Sequence, residues 1–437
     1  MGSKERWGSG LGFILASAGS AVGLGNLWGF AYRASQGGGG AFVLLYIFIV
    51  LLVCLPLLIA EMVVGRSTGN SPLIAPFKAG GKNWAPLGWL FLVVSVGILS
   101  YYVVLMGYAG TTLLHAIFGD LPLDKSAASN YFPSISSGSV SLRGQLLSLA
   151  LTGGVVAAGI RAGIERLTKF GMPLLFLMLI GLAIWTSTQP NAQEGYAFLF
   201  GWDSSKLIDP KTISNAFQQA FFSVGTGIGA ILAYSIYLER KSPIPGEAAA
   251  VVTIDTAVGL IAGCVTFPLV AILGLGDLVG EGSVGTLFST LPHGLAISSL
   301  GLAGWLVSVC FFGLVYIAAI TSAISLLEVP VSSLIDRIGW TRPKAVWVSI
   351  AIIAFIGIPS AMDVEFLVKV DSIMNALLIT SGMILALLVG WSIPKAFTDD
   401  LTNAGTPRAR ATSLLWTLRW ITTPAIAIGL VVVIEET

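Results

Sequence analysis

Two stretches, "AGSAVGLGN" (18–26) and "FFSVGTGIGA" (221–230), interrupt apolar runs with glycine and carry polar side chains beside them: Ser17, Ser20 and Asn26 at the first, Ser223 and Thr226 at the second. A helix broken at such a place exposes amide hydrogens at the start of one half and carbonyl oxygens at the end of the other. The amides attract a carboxylate, and the carbonyls attract a cation or an ammonium group. A zwitterion fits between them. Hard cations such as sodium take several oxygen ligands and no sulfur or nitrogen, and Asn26, Ser223, Thr321 and Ser322 offer such oxygens. A second reading of the glycines stays open at this level, because Gly19 with Gly23 and Gly225 with Gly229 also have the four-residue spacing that lets membrane helices pack closely. A phosphate-cradling loop is set aside, since no strand precedes either stretch.

The elements that hold these residues are membrane helices. The chain has 437 residues, 55% hydrophobic and 10% charged, and its long apolar runs recur from end to end, which indicates an all-α integral membrane protein. Runs long enough to cross a hydrocarbon core, about 20 residues each, cover roughly 11–32, 41–64, 87–118, 145–160, 167–187, 213–238, 247–275, 303–335, 343–359, 367–391 and 411–434. The expectation is therefore about eleven spans in one transmembrane unit, residues 1–437, with no separate soluble domain. The two interrupted spans are the first and the sixth. Five-span spacing suggests a repeat, about 10–190 and about 212–392, with the second copy inverted and 411–434 as an extra helix. Glycine interruptions at matching places in two halves point to a binding site at the midplane.

Basic residues favour the cytoplasmic side. Lys4 and Arg6, Arg66 with Lys78 and Lys82, Arg161 with Arg166 and Lys169, Arg240 with Lys241, Arg337 with Arg342 and Lys344, and Lys395 with Arg408 and Arg410 fall in alternate loops. The N-terminus is thus expected in the cytoplasm and the C-terminus outside a cell membrane crossed many times. The first run reads as a span and not a cleaved signal, because no small-residue cleavage site ends a short apolar core. Cys54, Cys264 and Cys310 lie inside apolar runs and read as small hydrophobes. Net charge of +1 gives no reason to invoke nucleic acid. His115 and His293 stand near span edges without a nucleophile or metal cluster, so an enzyme is not expected.

The runs "ERWGSGLGFILASAGSAVGLGNLWGF" with "QGGGGAF", "SYY" at 100–102, "QQAFFSVGTGIGAILAYSIY" and "AAITSAISLLEVP" together resemble the neurotransmitter:sodium symporter family, specifically its bacterial amino-acid transporters related to the leucine transporter. The resemblance covers the first ten spans in order. It implies the leucine-transporter fold, a 5+5 inverted repeat with broken helices 1 and 6, and sodium as a coupling ion. By resemblance one sodium is held by Gly19, Val22, Ala318, Thr321 and Ser322, and the other by Ala21, Asn26, Ser223 and Asp255. Family members commonly carry asparagine where Asp255 stands. A carboxylate at membrane depth costs about 2.5–3.5 kcal/mol on insertion scales unless paired. Its fixed negative charge would replace the chloride some relatives need, so no chloride requirement is expected.

The same resemblance places a substrate carboxylate on the amides of Leu24 and Gly25 and the Tyr102 hydroxyl, and an ammonium on Ala21, Phe222 and Ser223. The side chain would face Ile98, Tyr102, Phe222, Gly225, Ile228, Ser322 and Leu326, a lining without charge that favours apolar amino acids. Gly225 and Ile228 stand where the leucine-selective relative has a serine and a phenylalanine, which would free space for aromatic side chains. Gates are expected from Lys4, Trp7, Tyr237 and Asp336 inside and from Arg33 with Asp371 outside, because the family's outer arginine position is Gly29 here and Arg33 lies one turn on. Gly163, nine intervening residues and Pro173 mark a helix start that can loosen in relatives.

The implied function is sodium-coupled uptake of hydrophobic L-amino acids by alternating access, with two sodium ions and no obligate protein partner. A carrier of a non-amino-acid amine is the alternative within the class, and a channel is the alternative outside it, since carbonyls at broken helices also build filters.

Overall fold

The computed structural model describes residues 5–273, 287–288, 291–297 and 301–436. Lys4, expected at the inner gate, lies outside them. Thirteen helical pieces matter for the site: α1 (Gly10–Ala21), α2 (Phe30–Gln36), α3 (Gly40–Thr68), α4 (Lys82–Phe118), α5 (Gly138–Ala157), α6 (Ile160–Ser187), α7 (Pro210–Val224), α8 (Ala230–Ser235), α9 (Ile244–Ile272), α10 (Leu302–Ile338), α11 (Arg342–Met362), α12 (Val364–Ser392) and α13 (Arg408–Glu435). Among the described residues, nine of these are long and apolar enough to cross a membrane. The other two expected spans are the interrupted ones, α1 with α2 and α7 with α8.

Helix starts carry their own signals. Ser9 Oγ accepts from the Gly12 amide at 3.0 Å to begin α1, Asp209 accepts from Lys211 N at 3.2 Å with Pro210 in the first turn of α7, and Asp363 accepts from Glu365 N at 2.8 Å to begin α12. The interruptions have equally local causes. Val22 turns extended, with φ −71° and ψ 102°, and its amide makes the last α1 bond, to Ala18 O at 2.7 Å. A wide helical turn over Gly25–Gly29 then leads into α2. In the sixth span Gly225, Gly227 and Gly229 have φ of 71°, 89° and 84°. Left-handed backbone costs other residues about 1–2 kcal/mol each, so their alternation makes the break.

The long α4 and α10 lie against each other and against α5 and α11. The broken pieces pack inside this frame, α1 against α6, α9 and α10, and α7 against α3, α12 and α13. Outward-facing Phe170, Leu177 and Phe355 are 73%, 70% and 76% exposed, the surface expected of helices whose solvent is lipid.

Candidate substrate and cation site

Where the breaks in the first and sixth spans meet α4 and α10, a cavity is lined by Ala21, Gly25, Ile98, Tyr102, Phe222, Gly225, Ile228, Ser322 and Leu326, with Ser20, Gly23, Asn26 and Ser325 beside them. The two remaining expected substrate residues adjoin it. The Leu24 amide, freed from the helix ladder, donates to Tyr102 Oη at 3.2 Å, and Ser223 stands one layer behind. The approach of the first span is close: a Cβ on Gly25 would sit 2.6 Å from the Phe222 ring, and one on Gly23 would sit 2.8 Å from both Ser322 Oγ and Tyr102 Oη. Among the described residues, no charged side chain lines the cavity.

Two groups of oxygens flank it. Ser322 Oγ lies 3.3 Å from Gly19 O, 3.2 Å from Val22 O and 3.3 Å from Ala318 O, and Thr321 Oγ1 donates to Ala318 O at 3.0 Å. These five groups therefore converge from α1, its broken end and α10, a donor set suited to a hard monovalent cation. In the second group Asp255, fully buried on α9, accepts from Asn26 Nδ2 at 2.6 Å and from Ser223 Oγ at 2.7 Å. The Tyr46 hydroxyl lies 3.3 Å from Ser223 Oγ, and Asn26 Oδ1 accepts from Gly23 N at 3.1 Å. Ala21 is at the cavity wall nearby.

The outer residues have separate partners. Arg33 Nη1 donates to Gln219 Oε1 at 2.9 Å, Gln219 Nε2 donates to Gly25 O at 3.0 Å, and Asp371 Oδ1 accepts from Tyr101 Oη at 2.6 Å. Arg33 and Asp371 make no direct ion pair among the described residues. The Arg33 guanidinium instead reaches back over Gly29, 3.4 Å from where a Cβ would be, so it fills the space beside the backbone that lacks a side chain there.

On the inner side Trp7 Nε1 donates to Tyr234 O at 3.0 Å, and its ring meets Phe13 and Tyr234 edge-on. Tyr237 Oη donates to Glu328 Oε1 at 2.9 Å, and Asp336 accepts from the Ser71 amide at 2.9 Å. The ion pairing at this face centres on residues not expected from the sequence: Arg342 binds buried Glu328 at 2.8 Å and Glu5 at 2.9 Å. Breaking a buried pair from one side costs about 3–5 kcal/mol. Arg342→Gln is expected to lower thermal stability on that scale, whereas Lys344→Gln, whose ammonium lies over the Trp340 ring, should change it by less than about 1 kcal/mol. Thermal unfolding monitored by tryptophan fluorescence ranks the two. The helix start at Gly163 is a wide turn over Ile160–Glu165, where Glu165 accepts from Gly8 N at 2.7 Å and pairs with Lys169 at 2.6 Å.

Glu61 is the main residue that the sequence reading passed over. It is fully buried on α3 and accepts from the amides of Gly227 at 3.0 Å and Leu232 at 3.2 Å, the donors that unwinding the sixth span leaves free. Ser381 Oγ on α12 donates to Gly227 O. A lone carboxylate inside an apolar run was the available signal. Ser325, whose hydroxyl accepts from Ser20 Oγ at 2.6 Å, was missed for want of any such mark.

The family model described as the sodium:neurotransmitter symporter family matches residues 4–137 and 134–436. An uncharacterized sodium-dependent transporter of Bacillus subtilis is 32% identical over 443 residues, covering 97% of this chain and 96% of the relative. A sodium-dependent neutral amino acid transporter of Rattus norvegicus, B(0)AT2, is 29% identical over 64% of this chain and 42% of its own length. Among solved structures, MhsT in complex with L-phenylalanine superposes with a TM-score of 0.89 at 36% identity, covering 99% of this chain and 100% of that one.

Proposed function

Because the chain belongs to the sodium:neurotransmitter symporter family, we propose that it couples sodium entry to uptake of hydrophobic L-amino acids, branched-chain and aromatic ones among them. Membership makes it a multi-pass, sodium-dependent membrane transporter and not an enzyme. The observation that carries the substrate reading is the cavity between the two breaks, lined by uncharged residues and bordered by the Leu24 amide and the Tyr102 hydroxyl. In this reading the Leu24 and Gly25 amides and the Tyr102 hydroxyl take the carboxylate. Carbonyls of Ala21, Phe222 and Ser223 take the ammonium. The side chain lies among Ile98, Phe222, Ile228 and Leu326, with Gly225 leaving room for an aromatic ring. The likeness to MhsT, solved with L-phenylalanine, supports that range.

Two sodium ions are expected, one at Gly19, Val22, Ala318, Thr321 and Ser322, the other at Ala21, Asn26, Ser223, Asp255 and the substrate carboxylate. Sharing a ligand between ion and substrate couples their binding, and the coupling is reciprocal. The first and sixth spans then tilt against α4, α5, α10 and α11 to open the site inward. Trp7, Tyr237 and Asp336 belong to the inner door, Arg33 and Asp371 to the outer one. The N-terminus lies in the cytoplasm and the C-terminus outside.

The test is binding of radiolabelled leucine to the purified chain in sodium or potassium, with unlabelled tryptophan, tyramine and glutamate as competitors. Sodium-dependent binding displaced by tryptophan alone is expected, unchanged when gluconate replaces chloride. Displacement by tyramine in place of tryptophan would select an amine carrier, and loss of binding in gluconate would remove the proposed charge role of Asp255.

A further inference from the structure

The central cavity carries a hydroxyl relay that neither the cation groups nor the substrate backbone groups described above use. Ser20, next to last in α1, lines the cavity and is partly exposed. Its Oγ donates to Ser325 Oγ on α10 at 2.6 Å, and Ser325, itself buried, donates to Ser322 O at 2.8 Å. The order of this relay fixes the polarity of its open end. A hydroxyl has one proton and two lone pairs. The Ser20 proton goes to Ser325, and among the described residues nothing donates to Ser20 Oγ. Ser20 therefore presents an acceptor to the cavity. Other polar side chains of the lining are already engaged: Asn26 with Asp255, Ser223 and Gly23, Tyr102 with Leu24, and Ser322 with the carbonyls of the cation group.

The relay is set apart from the end of the cavity that holds the Leu24 amide. A Cβ on Gly23 would meet both Tyr102 Oη and Ser322 Oγ, so these two hydroxyls stand together there. Ser325 lies three residues further along α10 than Ser322, about 4.5 Å at 1.5 Å per residue, and next to Leu326 of the apolar lining. We propose that Ser20 is a specificity residue for aromatic amino acids whose ring bears a hydrogen-bond donor: the phenol hydroxyl of tyrosine donates to Ser20 Oγ, with Ser325 as a positioning residue that draws the Ser20 proton away. This rests on the reading of the cavity as an amino-acid site. Phenylalanine offers only carbon to the Ser20 lone pairs, and a polar group that the ligand leaves unmatched disfavours binding. Without Ser325 the Ser20 proton turns free and competes with the incoming donor.

The test is displacement of radiolabelled leucine from the purified full chain in sodium by tyrosine, phenylalanine and 4-fluorophenylalanine, the last of which fills the para position without a proton. Tyrosine is expected to displace at about threefold to tenfold lower concentration than the other two. Ser20→Ala should move the tyrosine-to-phenylalanine ratio about tenfold against tyrosine, because the phenol hydroxyl is then buried unpaired. Ser325→Ala should move it in the same direction by about threefold. Each ratio compares two ligands on one protein, so lost stability or weakened sodium binding shifts both alike and cancels. Equal displacement by all three ligands from the native chain would overturn the proposal. So would a ratio unmoved by Ser20→Ala, the result if the hydroxyl met the substrate ammonium instead, or unmoved by Ser325→Ala where gel filtration shows the first variant unfolded. Failure of leucine to bind the native chain in sodium would overturn the amino-acid reading itself, and this assignment with it.

Discussion

Asp255→Leu is expected to lose sodium-dependent leucine binding by at least about 100-fold, the equivalent of about 3 kcal/mol for removing one side of a buried charge pair. The carboxylate is fully buried and is held by the Asn26 amide at 2.6 Å and the Ser223 hydroxyl at 2.7 Å. Both donors aim it at the place where the first and sixth spans break. Leucine removes the charge and leaves two donors facing a hydrocarbon side chain. Asp255→Asn separates charge from shape: it keeps the volume and one acceptor but supplies no negative charge to balance a cation. That variant should bind leucine more tightly in chloride than in gluconate, whereas the native chain binds equally in both. Equilibrium binding across the two salts decides the matter, and equal binding by the asparagine variant would mean that Asp255 acts only by hydrogen bonding.

The second large effect is expected at Glu61, whose two oxygens accept from Gly227 N and Leu232 N. A hydrogen bond to a charged group contributes about 1.5–3 kcal/mol, so Glu61→Leu should cost about 3–6 kcal/mol and leave two buried amides orphaned. Thermal unfolding in detergent should show that loss, and leucine binding should fail because Phe222 and Ile228 flank the loop the carboxylate holds. Glu61→Gln retains one acceptor oxygen, so it should recover part of the stability and part of the binding. Leucine and glutamine variants of equal stability would show that the loop is held by its glycines and by Ser381 alone.

Much of this architecture could be read from local sequence because the bilayer is a severe solvent. It offers no partner to an open backbone group, so hydropathy marks the spans, and glycine-rich stretches at 18–26 and 221–230 could survive there only as site-forming breaks or packing faces. The left-handed φ at Gly225, Gly227 and Gly229 resolves that choice for the sixth span. Asn26, Tyr102, Ser223 and Ser322 were readable as a group because each stands inside a recognisable motif.

What lay beyond reading were pairs that meet only after the helices pack. Gln219 and Gly25 are 194 residues apart and Glu61 and Gly227 are 166 apart. The Arg342–Glu328 pair spans only 14 residues but crosses from α11 to α10, and Asp336 accepts from the Ser71 amide 265 residues away. Local chemistry specifies where a membrane helix begins, ends or breaks, but a hydrogen bond between helices depends on their rotation and depth, which are set by the packing of every neighbour at once.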